Sequence, residues 1–128
     1  MPPKLHPVAW TDLAVRDLEA IARFIASDSP LNAGRVLARL RERAGELSSR
    51  PERGRVVPEL ARFGIVVYRE VIVRPYRIVY RVRDRSVHIL AVLDGRREIE
   101  DLLFERMACP PPEPPPYGPA PKRGRRKR

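Results

Sequence analysis

Apolar residues recur at helical spacing in the first third of the chain and at strand spacing in its middle, and this change of period divides the sequence into elements. Ala14, Leu18, Ile21 and Ile25 fall on one face of a helix, while Arg16, Asp17, Glu19 and Arg23 take the solvent side. Thr11 stands where a hydroxyl caps the first amides, and Asp12 complements the helix dipole. The residues before it, 5–10, read as a short strand. Ser27-Asp28-Ser29-Pro30 predicts a turn, then a capping serine with proline at the first helical position, where its missing amide costs nothing. Ala33, Val36, Leu37, Leu40, Ala44 and Leu47 continue the helical period up to the turn chemistry of Ser48-Ser49-Arg50-Pro51. A helical hairpin follows from these signals.

Beyond a polar loop at 50–58, segments 66–73, 76–83 and 86–93 are rich in β-branched and aromatic residues and read as strands. The links Arg74-Pro75 and Asp84-Arg85 are too short for a parallel crossover, so the three strands form an antiparallel meander. In the middle strand, Tyr76, Ile78, Tyr80 and Val82 alternate with Arg77, Val79 and Arg81. One face belongs to the core and the other carries arginines. The last strand sets Val87, Ile89, Ala91 and Leu93 against His88, Leu90 and Val92, apolar on both faces, which suits a central or doubly covered position. Asp94-Gly95-Arg96-Arg97 then turns the chain into a short helix with Ile99, Leu102 and Leu103 on its apolar side. The fold class is α+β: a strand and helical hairpin packed on an antiparallel meander.

With 128 residues and 43% hydrophobic content, the chain holds one core of ordinary size. No apolar run approaches the roughly 20 residues of a membrane-spanning helix, and the N-terminal stretch is broken by Pro2, Pro3, His6 and Pro7. The expected compartment is the cytoplasm, with no membrane partner. Cys109 is the sole cysteine, and beside it stand only His6 and His88, so neither an internal disulfide nor a metal cluster is expected. A net charge of +10 favours anionic partners. Half of that excess lies in residues 108–128, where Lys122, Arg123, Arg125, Arg126, Lys127 and Arg128 oppose only Glu113 and eight of the fifteen prolines accumulate. That composition predicts a folded domain at 1–107 and a disordered tail at 108–128. The tail reads either as a solubilising end or as a non-specific, salt-sensitive nucleic-acid contact.

Four segments in order, Ser49-Arg50-Pro51-Glu52-Arg53-Gly54-Arg55, Tyr68-Arg69-Glu70, Pro75-Tyr76-Arg77-Ile78-Val79-Tyr80-Arg81-Val82 and Asp94-Gly95-Arg96-Arg97, resemble the RelE/ParE toxins over residues 5–103. The resemblance implies a type II toxin neutralised by a cognate antitoxin and acting without a cofactor. It also implies one of two targets. RelE-like members cut messenger RNA on the ribosome, whereas ParE-like members inhibit DNA gyrase.

RNA cleavage needs a base for the 2′-hydroxyl, cations for the phosphate and an acid for the leaving oxygen. The positions matching the family's basic residues are Arg69, Arg77 and Arg97. Val71 stands where RelE has a second lysine, and the C-terminal tyrosine position falls near Leu103. Arginine stays protonated and makes a poor base, and the substitutes, His88 or Glu70, are single strand residues. The resemblance therefore points to a ParE-like gyrase inhibitor. The alternative is a RelE-like, metal-independent mRNA endonuclease using Arg69, Arg77 and Arg97, and a third reading is a non-toxic nucleic-acid-binding or plasmid-maintenance relative. Arg77, Arg81, Arg96 and Arg97 are the target-binding candidates, Arg96 and Arg97 because they sit on a turn held by a rigid sheet. Arg77 and Arg81 have a structural alternative, pairing with Glu70 or Asp84. Tyr76 and Tyr80 read as core residues with hydroxyls at the rim, and Trp10 as packing.

Overall fold

A computed structural model describes residues 5–96 and 99–108. Arg97 and the basic tail residues lie outside the described residues. The chain runs β1 (Val8–Trp10), α1 (Asp12–Ala26), α2 (Pro30–Gly45), β2 (Arg55–Val56), α3 (Pro58–Ala61), β3 (Arg69–Val73), β4 (Tyr76–Arg83), β5 (Ser86–Asp94) and α4 (Ile99–Ala108). The five strands form one sheet in the order β1-β5-β4-β3-β2, antiparallel except for β1 beside β5. The α+β class and the meander are as predicted.

Both predicted caps are present. The Thr11 hydroxyl accepts from the Ala14 amide at 3.2 Å and the Ser29 hydroxyl from the Asn32 amide at 3.1 Å, each satisfying a first-turn donor that the helix itself leaves unpaired. The β4–β5 link turns through Asp84 and Arg85, both at positive φ (54° and 65°), the backbone sense that matches strand twist in a two-residue hairpin. The first strand is shorter than the predicted 5–10, because pairing begins only at Val8, opposite Val87. Likewise 66–68 lies outside the third strand. The loop predicted at 50–58 contains β2 and the start of α3, a strand too short for alternation and a single turn opened by Pro58 at its first position.

The hairpin of α1 and α2 covers one face of the sheet, where Leu18, Leu40, Leu47, Val71, Ile78, Tyr80, Val87, Ile89 and Val92 make the main core. The other face was expected to carry arginines on the middle strand, with the last strand central or doubly covered. It is covered: α3 and α4 bring Leu60 and Leu103 onto Val79, Ala91 and Leu93, forming a second, smaller core.

A β-bulge corrects the predicted faces of β5. Ala91 pairs with Val79, but Tyr80 pairs with Ile89, so Leu90 is one residue too many and the alternation changes phase there. Val92 therefore joins Val87 and Ile89 on the hairpin side, and Ala91 and Leu93 turn to the second core. β1 ends opposite Ile89, leaving the bulged part of β5 at the sheet edge. Asp17 and Arg106 close that edge: Asp17 Oδ2 accepts the Val92 amide at 2.9 Å, Arg106 donates to the Leu90 carbonyl at 2.7 Å, and the two side chains form an ion pair at 3.3 Å. Asp17, expected on the solvent side of α1, is thus half-buried and structural. Replacing it with alanine leaves the Val92 amide without its acceptor and Arg106 without its carboxylate partner. The Asp17→Ala protein is expected to lose about 1–3 kcal/mol in chemical denaturation, while the Glu19→Ala protein stays within about 0.5 kcal/mol of the parent.

Candidate functional site

The family-matched cations reach the sheet from different strands, and strand alternation decides where each one goes. Arg69 pairs in register with Tyr80 and shares its parity with Val71 and Val73, which places it on the hairpin side. Arg77 shares parity with Val79 and faces α3 and α4. The two therefore stand on opposite faces.

Neither is free. Arg69 donates to the Gly54 carbonyl at 2.7 Å. Arg77 is only 8% exposed and lies between two carboxylates. Its Nε donates to Glu70 at 2.6 Å, and its two terminal nitrogens engage both oxygens of Glu59 at 2.7 and 2.9 Å, a bidentate clamp delivered by α3. Glu70, its side chain wholly buried, also accepts from Arg55 Nε at 2.7 Å. Two arginines and two glutamates thus make a neutral network under the sheet. The hydrogen bonds that Arg77 donates to Glu59 and then to Glu70 hold its guanidinium protonated beyond its ordinary range, although burial opposes them. Reciprocally, the bond to Arg77 lowers the Glu59 carboxyl below its usual value. A carboxyl lowered by folding stabilises the native state above its unfolded value of 4.5 and loses that contribution as pH falls through its folded value. Acid denaturation of the Glu59→Gln protein, followed below pH 4.5, is therefore expected to show a shallower loss of stability than the parent.

The remaining candidates are spread out. Arg81 lies with its guanidinium carbon 5.5 Å from the Tyr68 ring centre, a cation–π contact; the predicted alternative partner, Asp84, lies instead within 4.0 Å of Arg83. Arg96 is exposed and folds back on Asp94 through bonds of 2.6 and 2.9 Å. His88 is buried within the sheet opposite Arg81. Tyr80, expected to send its hydroxyl to the rim, is instead fully buried. It accepts from the Gly54 amide at 2.9 Å and donates to the Pro51 carbonyl at 2.7 Å, and burial raises its pKa. These bonds explain the segment from Ser49 to Arg55: it packs as the strap over one end of the sheet, with its backbone polar groups satisfied by Tyr80 and Arg69. Sequence reasoning found the Arg77–Glu70 pair but missed Glu59 and Arg55. The signal for Glu59 was Pro58 opening a helical turn, and that for Arg55 its place at the end of the family-like segment 49–55.

Among the described residues, no group of three or more His, Cys, Asp or Glu side chains is arranged to hold a metal ion, and no helix is long and apolar enough to cross a membrane.

Known proteins share this architecture. The chain is 40% identical over 90 residues to Toxin RelE2 of Caulobacter vibrioides, an alignment that covers 70% of this chain and 96% of that protein. The structure of the toxin–antitoxin complex RelBE2 from Mycobacterium tuberculosis superposes with a TM-score of 0.52 at 30% identity, over 70% of this chain and 91% of that one. The chromosomal ParDE toxin–antitoxin system from P. aeruginosa gives 0.57 at 21% identity, over 70% and 95%. The family model for the ParE toxin of the type II toxin–antitoxin system parDE matches residues 8–99, from β1 through the meander to the start of α4. Strand order, helical hairpin and family model agree, and the chain belongs to the ParE toxin family of type II toxin–antitoxin systems.

Proposed function

We propose that this toxin arrests growth without cutting RNA, by inhibiting DNA gyrase, and that a cognate antitoxin silences it. The observation that carries the reading is the disposition of Arg69 and Arg77. In-line phosphoryl chemistry needs cations converging on one phosphate, whereas these two stand on opposite faces of the sheet and are spent on Gly54, Glu59 and Glu70. Arginine supplies no base, and His88 lies buried between strands. What this scaffold offers a target is surface: the exposed turn at Arg96 and the basic side chains around it.

The antitoxin assignment draws on the family and on the similar RelBE2 structure, which is a toxin–antitoxin complex. The test assays one preparation of the purified protein in parallel, for supercoiling by DNA gyrase and for mRNA cleavage in a translating extract. Loss of supercoiling with intact message is expected. Codon-linked cleavage with unaltered supercoiling overturns the proposal in favour of a ribosome-dependent endonuclease.

A further inference from the structure

Two contacts fix the direction of α4. Leu103 lies against Val79, Ala91 and Leu93, and three residues later Arg106 donates to the Leu90 carbonyl at 2.7 Å. The helix therefore runs back along β5 toward the β4–β5 turn and delivers the chain beyond Ala108 at that end of the sheet. Arginines collect there. Arg81 and Arg83 share parity with Val79 and rise on the face that α4 covers, and Arg85 stands in the turn itself. Arg83 and Arg85 are exposed, with Asp84 the one acid between them.

We propose that this hairpin and the basic segment that follows α4 form a two-point clamp on the phosphate backbone of duplex DNA. Its use, holding the toxin beside gyrase on DNA, rests on the function proposed above. The DNA contact itself does not.

The tail supplies the larger part of the charge. Lys122, Arg123, Arg125, Arg126, Lys127 and Arg128 fill six of the last seven positions, and Glu113 is the only acid after α4. A tail that served solubility alone would gain at least as much from acidic residues, and nothing from crowding its cations together. Crowding does matter to a polyanion. Duplex DNA carries about one charge per 1.7 Å of axis, and each phosphate neutralised releases condensed counterions. Residues 110–121 hold eight prolines, and proline-rich spacers extend at about 3.1 Å per residue. Such a reach, up to about 37 Å, lets the hairpin and the six cations meet phosphates about one duplex turn apart.

Duplex DNA fits these features better than other polyanions do. Single strands are held by stacking their bases on open aromatic rings, whereas Tyr68 at this end is half-buried and carries the Arg81 guanidinium on its ring. Segments that bind a membrane surface set Trp, Phe or Leu among their cations, and residues 118–128 contain none of these.

Fluorescence anisotropy with the full-length protein and a labelled DNA duplex, titrated from about 50 to 200 mM salt, tests the clamp. The slope of log affinity against log salt reports the phosphates neutralised, at about 0.9 per contact. Replacing the six tail cations by glutamine is expected to reduce that slope by about 5, and Arg83→Gln with Arg85→Gln by about 2, with unchanged unfolding midpoints. Arg39→Gln, exposed on α2 across the sheet, is expected to leave the slope unchanged. Less than half the expected change on neutralising the tail, no response to the hairpin pair, or an equal response to Arg39→Gln overturns the clamp. Tighter binding to single-stranded RNA or to phosphatidylserine vesicles overturns it as well. In a supercoiling assay, the tail-neutralised protein is expected to need at least about tenfold more protein for half-inhibition, and equal potency overturns the clamp's role at gyrase. If the slopes respond as expected while the parent leaves gyrase unaffected, the clamp stands and the proposed function falls. If the slopes do not respond while gyrase is still inhibited, the clamp falls and the proposed function stands.

Discussion

The Glu70→Ala protein is expected to lose about 3–5 kcal/mol of stability, read as a lowered denaturant midpoint with unchanged slope. Glu70 is the wholly buried junction of the network, bonded at 2.6 Å to Arg77 and at 2.7 Å to Arg55. Arg55 has a solvent-exposed side chain and can recover hydration, whereas Arg77, 8% exposed, cannot. Removing the carboxylate leaves a buried guanidinium held by Glu59 alone, and an uncompensated buried charge costs more than the pair contributed. Glu70→Gln keeps an acceptor oxygen and should cost distinctly less. A loss below about 1 kcal/mol for Glu70→Ala, the range of an exposed pair, would mean that the network is solvated rather than structural.

Gly54→Ala carries the second large effect, about 2–5 kcal/mol, because an overpacked contact and a broken buried hydrogen bond fall on the same residue. A methyl group there would lie 2.5 Å from the Glu70 carbonyl oxygen and 2.7 Å from the Tyr80 hydroxyl. The first is strand backbone and the second is the buried group that accepts the Gly54 amide, so neither retreats cheaply. Moving the strap away also pulls its carbonyl from Arg69. Gly34→Ala supplies the contrast. Its added methyl meets nothing within 4 Å on α2, so helix propensity alone acts and a gain of about 0.5–1 kcal/mol is expected. Thermal unfolding of the two proteins, compared with the parent, should move in opposite directions.

These residues also show where sequence reasoning stops. The hairpin and the meander were legible because each repeats its period over several turns or residue pairs, and because the caps at Thr11 and Ser29 and the two-residue links have few alternatives. The bulge at Leu90 was not legible: one extra residue leaves an apolar strand equally apolar and only exchanges its faces. The part of the second face's cover that α3 and β2 supply was missed for a related reason. α3 is one turn long and β2 is two residues, too short for any periodic signal, and they bring Glu59 and Arg55 to Arg77. Without that cover, Arg77 reads as a cation displayed on a sheet. With it, Arg77 is half of a buried clamp.

The central claim is that Arg77 serves the fold and not a reaction, and removing the network as a unit tests it most directly. A protein with Arg77→Met, Glu70→Leu and Glu59→Gln exchanges the buried charges for apolar or neutral groups of similar size, a change that buried ion pairs commonly tolerate with little loss or with a gain of about 1–4 kcal/mol. Growth of a bacterial host after induction of this folded variant is the measurement. The account predicts arrest as strong as that of the parent. Normal growth from a variant with a native circular dichroism spectrum and cooperative unfolding would contradict it, and would make Arg77 part of the toxic mechanism.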